Sequence, residues 1–341
     1  MVGTLRPTRP GRERGAAIVS VLVLVSIATL LVASLFWRQH LATRSVQNRF
    51  ASAQLRWIET AVLDWAAVVL KSDQNTSGAV DHLQETWAVP VAETRLDETV
   101  TAGARISGNT RSALIAGQIF DAQGRFNLSN LVQDGKPVEK QVLAFRRLLA
   151  LLGQPPELEP ALTRRLLESY VAEPAPSGAT AGSGSSAAAE VRRIAALPPP
   201  LKLNDLLRLP GFDERTLSAL APFVILLPKR IPSGDTSHST TGTRININTA
   251  PPEVIAAMVD DLPLDAARGF VLARERTVAS TLDQAGNRFN PSISLNAELF
   301  SVGSSYFLVS GMVRFERIEA STEALFFRGP TRVELVWRQQ F

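Results

Sequence analysis

The run from Ala16 to Trp37, AAIVSVLVLVSIATLLVASLFW, holds 22 successive positions without a charge. As a helix rising about 1.5 Å per residue it reaches roughly 33 Å, enough to cross a hydrocarbon core of about 30 Å. The apolar stretch of a secretory signal is shorter, about 7 to 15 residues, so the pattern predicts a spanning helix that stays with the chain. Apolar positions then recur at steps of three and four: Val46, Phe50, Ala53, Trp57, Ala61, Trp65 and Val68. That period predicts an amphipathic helix continuing the span to about Lys71. Residues 16–37 read as the transmembrane part of one long helix and 38–72 as its stem.

Further on the pattern changes. Glu139 to Leu152 has helical periodicity ending at Gly153, and Leu158 to Val171 is a second helical stretch after Pro155-Pro156. Ala116 to Asp121 and Arg125 to Leu128 flank Ala122-Gln123-Gly124, which suits a hairpin. Tyr306 to Phe315, Ala324 to Phe327 and Val333 to Trp337 are β-rich and separated by turn signals. These runs predict a modest antiparallel sheet with helices inserted between its elements, an α+β plan. Low-complexity residues 174–190, with the prolines at 198–200, and the polar stretch 228–243 read as breaks.

With 341 residues and 45% hydrophobic content the chain can bury a sizeable core. Cysteine is absent, which excludes disulfides, thiolate metal sites and cysteine nucleophiles. The net charge of +4 points toward an acidic partner, but Arg6, Arg9, Arg12 and Arg14 against Glu13 place +3 of it in the first 15 residues. The three histidines are His40, His82 and His238, and no G-x-S-x-G, P-loop or G-x-G-x-x-G occurs. Asp81, His82 and Glu85 could supply ligands from one helical turn, but a solvated helix face is the preferred reading. No catalytic constellation emerges, so the chain is read as not an enzyme.

RININTAPPEVIAAMV, from Arg244 to Val259, opens like a helix-hairpin-helix: a polar turn, a helix-starting proline and an acidic first turn. Such modules grip phosphate with backbone N–H groups from a glycine-containing hairpin, supported by basic side chains. Here the hairpin region, Asp260 to Asp265, has no glycine and three carboxylates, and residues 245–300 carry a net −3. That surface repels DNA. The Asn-x-Asn-Thr-Ala turn is therefore expected to cap a helix for structural reasons, without nucleic acid as a partner.

The leader ends in RERGAA, with Arg14, Gly15 and Ala16 at the edge of the apolar run. A basic leader ending in glycine, then a spanning helix and an amphipathic stem, resembles the class III signal of type IV pilins and pseudopilins. The resemblance implies cleavage after Gly15 by prepilin peptidase and a mature chain that begins at Ala16. Most members of that group carry glutamate at the fifth mature position, where this chain has Ser20. Its absence is a feature of the general secretion pathway protein K family, the large minor pseudopilins of type II secretion. VDHLQETWAVP (Val80 to Pro90), FDAQGRFNLSNLV (Phe120 to Val132), LKLNDLLRLPGF (Leu201 to Phe212), ININTA (Ile245 to Ala250) and SVGSSYFLVSG (Ser301 to Gly311) resemble the same family, in its order.

That resemblance implies an α+β fold: a type IV pilin-like long helix and small antiparallel sheet (73–135 and 302–341), with a large all-α, SAM-like or helix-hairpin-helix-like domain inserted at 136–301. It implies a single-pass inner-membrane protein with its bulk in the periplasm, at the tip of the pseudopilus. There it would nucleate assembly and support export of folded proteins. The implied partners are the I and J minor pseudopilins, prepilin peptidase and the inner-membrane secretion platform, with Ser20, Phe50, Trp57 and Trp65 packing the helices. Calcium is the cofactor the family suggests, with Glu168, Glu173 and Glu190 as its candidate ligands, but the acidic segments it would need are reduced here to those three. The alternative is an inner-membrane-anchored periplasmic DNA receptor of helix-hairpin-helix type.

Overall fold

The computed structural model describes residues 14–95, 113–169, 198–228, 242–289, 293–315 and 317–341. The leader up to residue 13, Glu173, Glu190, His238, the low-complexity stretch 174–190 and most of the 228–243 loop lie outside the described residues. One helix, α1, runs from Arg14 to Thr76. Nothing interrupts it, because no glycine or proline occurs between Ala16 and Thr76. It stops where Gly78 takes φ +77°, a left-handed conformation that costs glycine least. In the apolar part Ser26, Thr29 and Ser34 donate their hydroxyl protons to the carbonyls of Leu22, Val25 and Leu31. A hydroxyl satisfied within its own helix is tolerable in hydrocarbon.

The chain forms two compact units, the first ending at Trp57 and the second running from Ile58 to Phe341. The first contains the apolar part of α1, where Ile18 to Trp37 are exposed. In the second, five strands form an antiparallel sheet in the order β1 (Val91–Arg95), β2 (Leu114–Asp121), β9 (Tyr306–Phe315), β10 (Ile318–Arg328) and β11 (Val333–Gln340). The predicted C-terminal strands are all present: β9 has the expected bounds, and β10 and β11 run beyond theirs. β2 and β9 are direct neighbours, with Gly117 opposite Gly311 and Asp121 opposite Phe307, although the whole helical region lies between them in sequence.

Alternation along these strands assigns each face. Ile119, Phe307, Val309, Ala324 and Phe326 meet Leu63, Ala66 and Leu70 of α1, with Trp87 closing the layer edge-on to Phe307 at 5.2 Å. The intervening residues Tyr306, Leu325 and Phe327 point the other way and pack on Ala122, Ile225 and Leu227. A period of two thus gives the sheet two buried faces, one for the helix and one for the rest of the chain.

Between β2 and β9 lie α2 (Glu139–Leu151), α3 (Leu158–Glu168), α4 (Glu214–Leu220), α5 (Pro252–Met258), α6 (Leu264–Arg274) and α7 (Leu282–Phe289). They share a core that includes Phe126, Phe145, Leu148, Leu158, Leu206 and Ile255. Three two-residue ladders stitch it: β3 (Phe126–Asn127) with β6 (Val224–Ile225), β4 (Val132–Gln133) with β5 (Lys136–Pro137), and β7 (Ile245–Asn246) with β8 (Phe300–Ser301).

The hairpin expected across Ala122-Gln123-Gly124 does not form. These residues make a 3-10 turn capped by Asp121, whose carboxylate accepts from Gln123 N. Both edges of β2 are taken by β1 and β9, so β3 pairs in parallel with β6 instead.

Leu70 is fully buried between helix and sheet, while Leu272 on α6 is 64% exposed. Leu70→Ala should lower the stability of the detergent-solubilised chain by about 2–5 kcal/mol, and Leu272→Ala by less than about 0.5 kcal/mol. Urea unfolding followed by tryptophan fluorescence checks both.

Candidate assembly interface

Four of the segments singled out in the sequence converge on one buried polar network. Asp81, from VDHLQETWAVP, accepts from Ser304 N at 2.6 Å and takes Arg328 Nη2 on both carboxylate oxygens. Arg328 closes β10; its Nη1 donates to Asp73 Oδ2 near the end of α1 at 2.9 Å, and its Nη2 to the Ser304 carbonyl at 2.8 Å. Its guanidinium lies 4.5 Å from the Phe307 ring centroid, a cation over an aromatic face. One arginine therefore ties α1, the Asp81 loop, the entry to β9 and β10.

Asp121 anchors the second half. Its Oδ2 accepts from Ser304 Oγ (2.6 Å), Thr249 Oγ1 (2.6 Å) and Asn246 Nδ2 (2.9 Å). Asn246 Nδ2 also reaches the Asp81 carbonyl at 3.1 Å. Gln123 spans the same gap, its Oε1 accepting from Ser305 N at 2.6 Å and its Nε2 donating to the Arg244 carbonyl at 2.9 Å. Asn127 and Asn130 hold Thr243 and Leu227 in like fashion. Backbones approach closely at two glycines: a Cβ on Gly303 would strike the Ala79 carbonyl, and one on Gly124 would stand 2.9 Å from Thr249 Oγ1.

The Asn-x-Asn-Thr-Ala turn therefore has a different role from the one expected. The N-cap of α5 is Pro251, with no side-chain cap. Asn246 Oδ1 instead accepts from Asn248 N, and Asn248 binds Ala279 through both ends of its amide. The turn's polar side chains are spent on tertiary contacts. Arg274, buried beneath it, donates to the Ile247 carbonyl at 2.7 Å, and burial pushes its pKa down to about 10.

The solvated face expected for Asp81, His82 and Glu85 is likewise corrected. Asp81 and Glu85 are buried, in a turn and not a helix, because Arg328 and the Trp87 indole give them partners inside. Asp73, Asp81 and Glu85 stand close enough to share an ion. The guanidinium already between Asp73 and Asp81 suits that set better than Ca²⁺, which takes six to eight oxygens. Glu168 is exposed at the end of α3 and belongs to no such group among the described residues, while Glu173 and Glu190, the other carboxylates of the suggested calcium set, lie outside them. The Asp260–Asp265 loop keeps its acidic character, with Arg147 paired to Asp260 at 2.8 Å and Arg268 to Asp265 at 3.2 Å.

The stem carries two apolar stripes, and only one was expected. Ile58, Leu63, Ala66 and Leu70 are buried. The stripe read from the sequence is the other one, and it stays uncovered. Phe50 and Trp57 in the first unit are 65% and 76% exposed, and Trp65 and Val68 in the second are 43% and 64% exposed. Ser20 is exposed within the apolar run, and Gly15 and Ala16 occupy the first turn of α1. Sequence reasoning missed Arg328, Asp121, Asn246 and Ser304. The last three lie inside quoted segments as polar residues among apolar ones, and Arg328 ends the run ALFF as its sole charge.

A long N-terminal helix whose distal part is laid on a small antiparallel sheet defines a pilin-like subunit, and the length and composition of its apolar run fit a single membrane anchor. Residues 124–229 and 245–302 match the family described as type II secretion system protein K. The type II secretion system protein K of Pseudomonas aeruginosa is 31% identical over 303 residues, covering 87% of this chain and 83% of that one. The protein of the same name from Aeromonas hydrophila is 26% identical over 93% of this chain and 94% of its own. A chain in the crystal structure of the GspK-GspI-GspJ complex from enterotoxigenic Escherichia coli shares the fold, with TM-score 0.61 and 21% identity over 88% of this chain and 99% of that one. The chain belongs to the type II secretion system protein K family, whose members are minor pseudopilins of a protein-transport machine.

The network makes stability depend on pH. Burial pushes Asp81 up to about 6, against the pull of Arg328 and Ser304 N, and also raises Asp73 and Asp121. A folded pKa above the unfolded value of 3.8 means that the Asp81 contribution is fully present below about pH 4 and is lost as pH rises through 6, by up to about 3 kcal/mol. Urea unfolding at pH 5 and pH 7 should show a smaller pH 5 advantage in Asp81→Asn than in wild type. An equal advantage in the two would contradict the assignment.

Proposed function

We propose that this chain is the tip subunit of the type II secretion pseudopilus, anchored once in the inner membrane with its bulk in the periplasm, and that it nucleates the fibre with the I and J minor pseudopilins. The observation that carries the reading is the exposed apolar stripe of α1. A soluble face would not hold Phe50, Trp57, Trp65 and Val68 in water, and Ser20, Phe50, Trp57 and Trp65 are the residues assigned to helix packing. The partners are supported by the related complex, whose chains are named GspK, GspI and GspJ. The helices between β2 and β9 are taken as one inserted helical domain, covering about 136–301, that adds bulk at the tip and supports export of folded proteins. The secretion platform is its docking point in the membrane.

Ser20 fits the tip. A fibre subunit below another can set a fifth-position glutamate against the terminal ammonium of the one above, and the topmost subunit has no such neighbour. A lone carboxylate at the bilayer centre costs about 2.5–3.5 kcal/mol on insertion scales, which favours its loss there. The DNA-receptor alternative is not adopted, since the Asp260–Asp265 loop is acidic and the family relationship points to secretion.

Prepilin peptidase is expected to cut after Gly15, so N-terminal sequencing of membrane-extracted protein should begin at Ala16; a start near Ser34 would contradict this. Trp57→Glu and Trp65→Glu should each reduce co-purification with the I and J pseudopilins by about tenfold or more, as for aromatic anchors elsewhere. Leu272→Glu should leave it unchanged. Retention of both partners by a Trp57→Glu/Trp65→Glu double variant would refute the stripe as the assembly surface.

A further inference from the structure

The sheet face turned away from α1 does not close completely on the helical region. Between β9–β11 and α4 lies a cavity of about 520 Å³. Its floor is apolar, with Leu308 and Trp337 from the sheet facing Leu203, Leu217, Ala221 and Ile225. One buried donor in its lining lacks an acceptor, and one half-buried cation lacks an ion-pair partner among the described residues. Trp337 Nε1 is buried with no hydrogen-bond partner among the described residues. Arg125 lies with its guanidinium carbon 5.8 Å from the Phe120 ring centroid, and burial lowers its pKa. Among the described residues no carboxylate stands within ion-pair distance of it, although Glu323 acts on it from further off. A buried donor without an acceptor is uncommon and calls for a partner, and the Arg125 charge stands in the same cavity lining.

The other charges are placed differently. Lys202 sits 5.2 Å from the Trp337 ring centroid and donates to Gln339 Oε1, so it is engaged already. Arg125 and Lys202 are matched by Glu214 and Glu323, so bulk charge does not select a ligand; the two positioned donors do. The cavity also borders β11, an edge strand with no outer neighbour among the described residues. An edge strand beside a side-chain pocket is the arrangement that accepts an extended peptide as an added strand.

We propose that this cavity binds an extended acidic segment of a second polypeptide. The segment lies along β11, its apolar side chains fill the cavity floor, and one carboxylate accepts from Arg125 and from Trp337 Nε1. This site is separate from the α1 stripe and does not depend on it.

The probe is a fluorescein-labelled pentapeptide, Val-Leu-Asp-Leu-Val, titrated with the detergent-solubilised full chain and followed by anisotropy, beside the same peptide with asparagine at the centre. Saturable binding is expected, with the aspartate form tighter by about tenfold, since a charge-assisted bond is roughly twice as strong as a neutral one. Arg125→Gln should erase that preference. Trp337→Phe, which keeps the ring and removes the donor, should weaken the aspartate form by about three- to tenfold. Both variants should melt as wild type does and still co-purify with the I and J pseudopilins, because α1 is untouched. Equal affinity for the two peptides, a preference that survives Arg125→Gln, or no binding up to millimolar peptide would overturn the proposal.

Discussion

Buried charge has to be compensated, and the second unit is organised around meeting that requirement at Arg328. Asp73, Asp81 and Asp121 are carboxylates withdrawn from water, and burial raises the pKa of each. Removing one partner of a buried pair costs about 3–5 kcal/mol, a large part of the roughly 5–15 kcal/mol that keeps a domain folded. Arg328 satisfies two of the acids and the Ser304 carbonyl, while Ser304, Thr249 and Asn246 satisfy the third. Polar bonds are directional where apolar contacts are not, so the network sets how the sheet meets the helices as well as how strongly.

That geometry bears on assembly because it leaves α1 with one stripe covered and one free. Leu63, Ala66 and Leu70 are used by the sheet, and Asp73 is pinned by Arg328. The distal end of the helix therefore cannot roll to bury Trp65 and Val68 without breaking a buried ion pair. In this reading the clamp keeps an apolar face presented to other subunits. The opposite sheet face meets Ile225 and Leu227 and leaves the cavity beside Trp337, so the two faces of one sheet serve different ends.

The extent of α1 was legible from its uninterrupted composition, and the three C-terminal strands from their β-branched and aromatic runs. α2 was legible too, because Glu139–Leu151 shows its period over three turns and ends before Gly153. The hairpin after Asp121 was misread because small residues in a turn say nothing about which strand edges are already occupied. The ININTA turn was misread for a related reason: asparagines before a helix look like caps, and only the packed structure shows Asn246 reaching Asp121 and Ser304 across the chain. Asp81 and Glu85 looked solvated because nothing local announces an arginine at position 328.

By itself the sequence determined what depends on neighbours in the chain: the spanning length, the helical period of the stem, the alternation of the strands, and the family recognised from five ordered segments. Those properties arise from backbone geometry and local burial, whose signals repeat every two or every three to four residues. The tertiary structure alone decided which apolar stripe of the stem is buried, which strand lies beside β2, and which acids share Arg328. Each of these is a choice among partners far apart in the chain, settled by the joint demand that apolar faces be covered and buried charges paired. No local pattern encodes that demand, because it is met only when residues as distant as Asp73, Asp81 and Arg328 are brought within hydrogen-bonding reach.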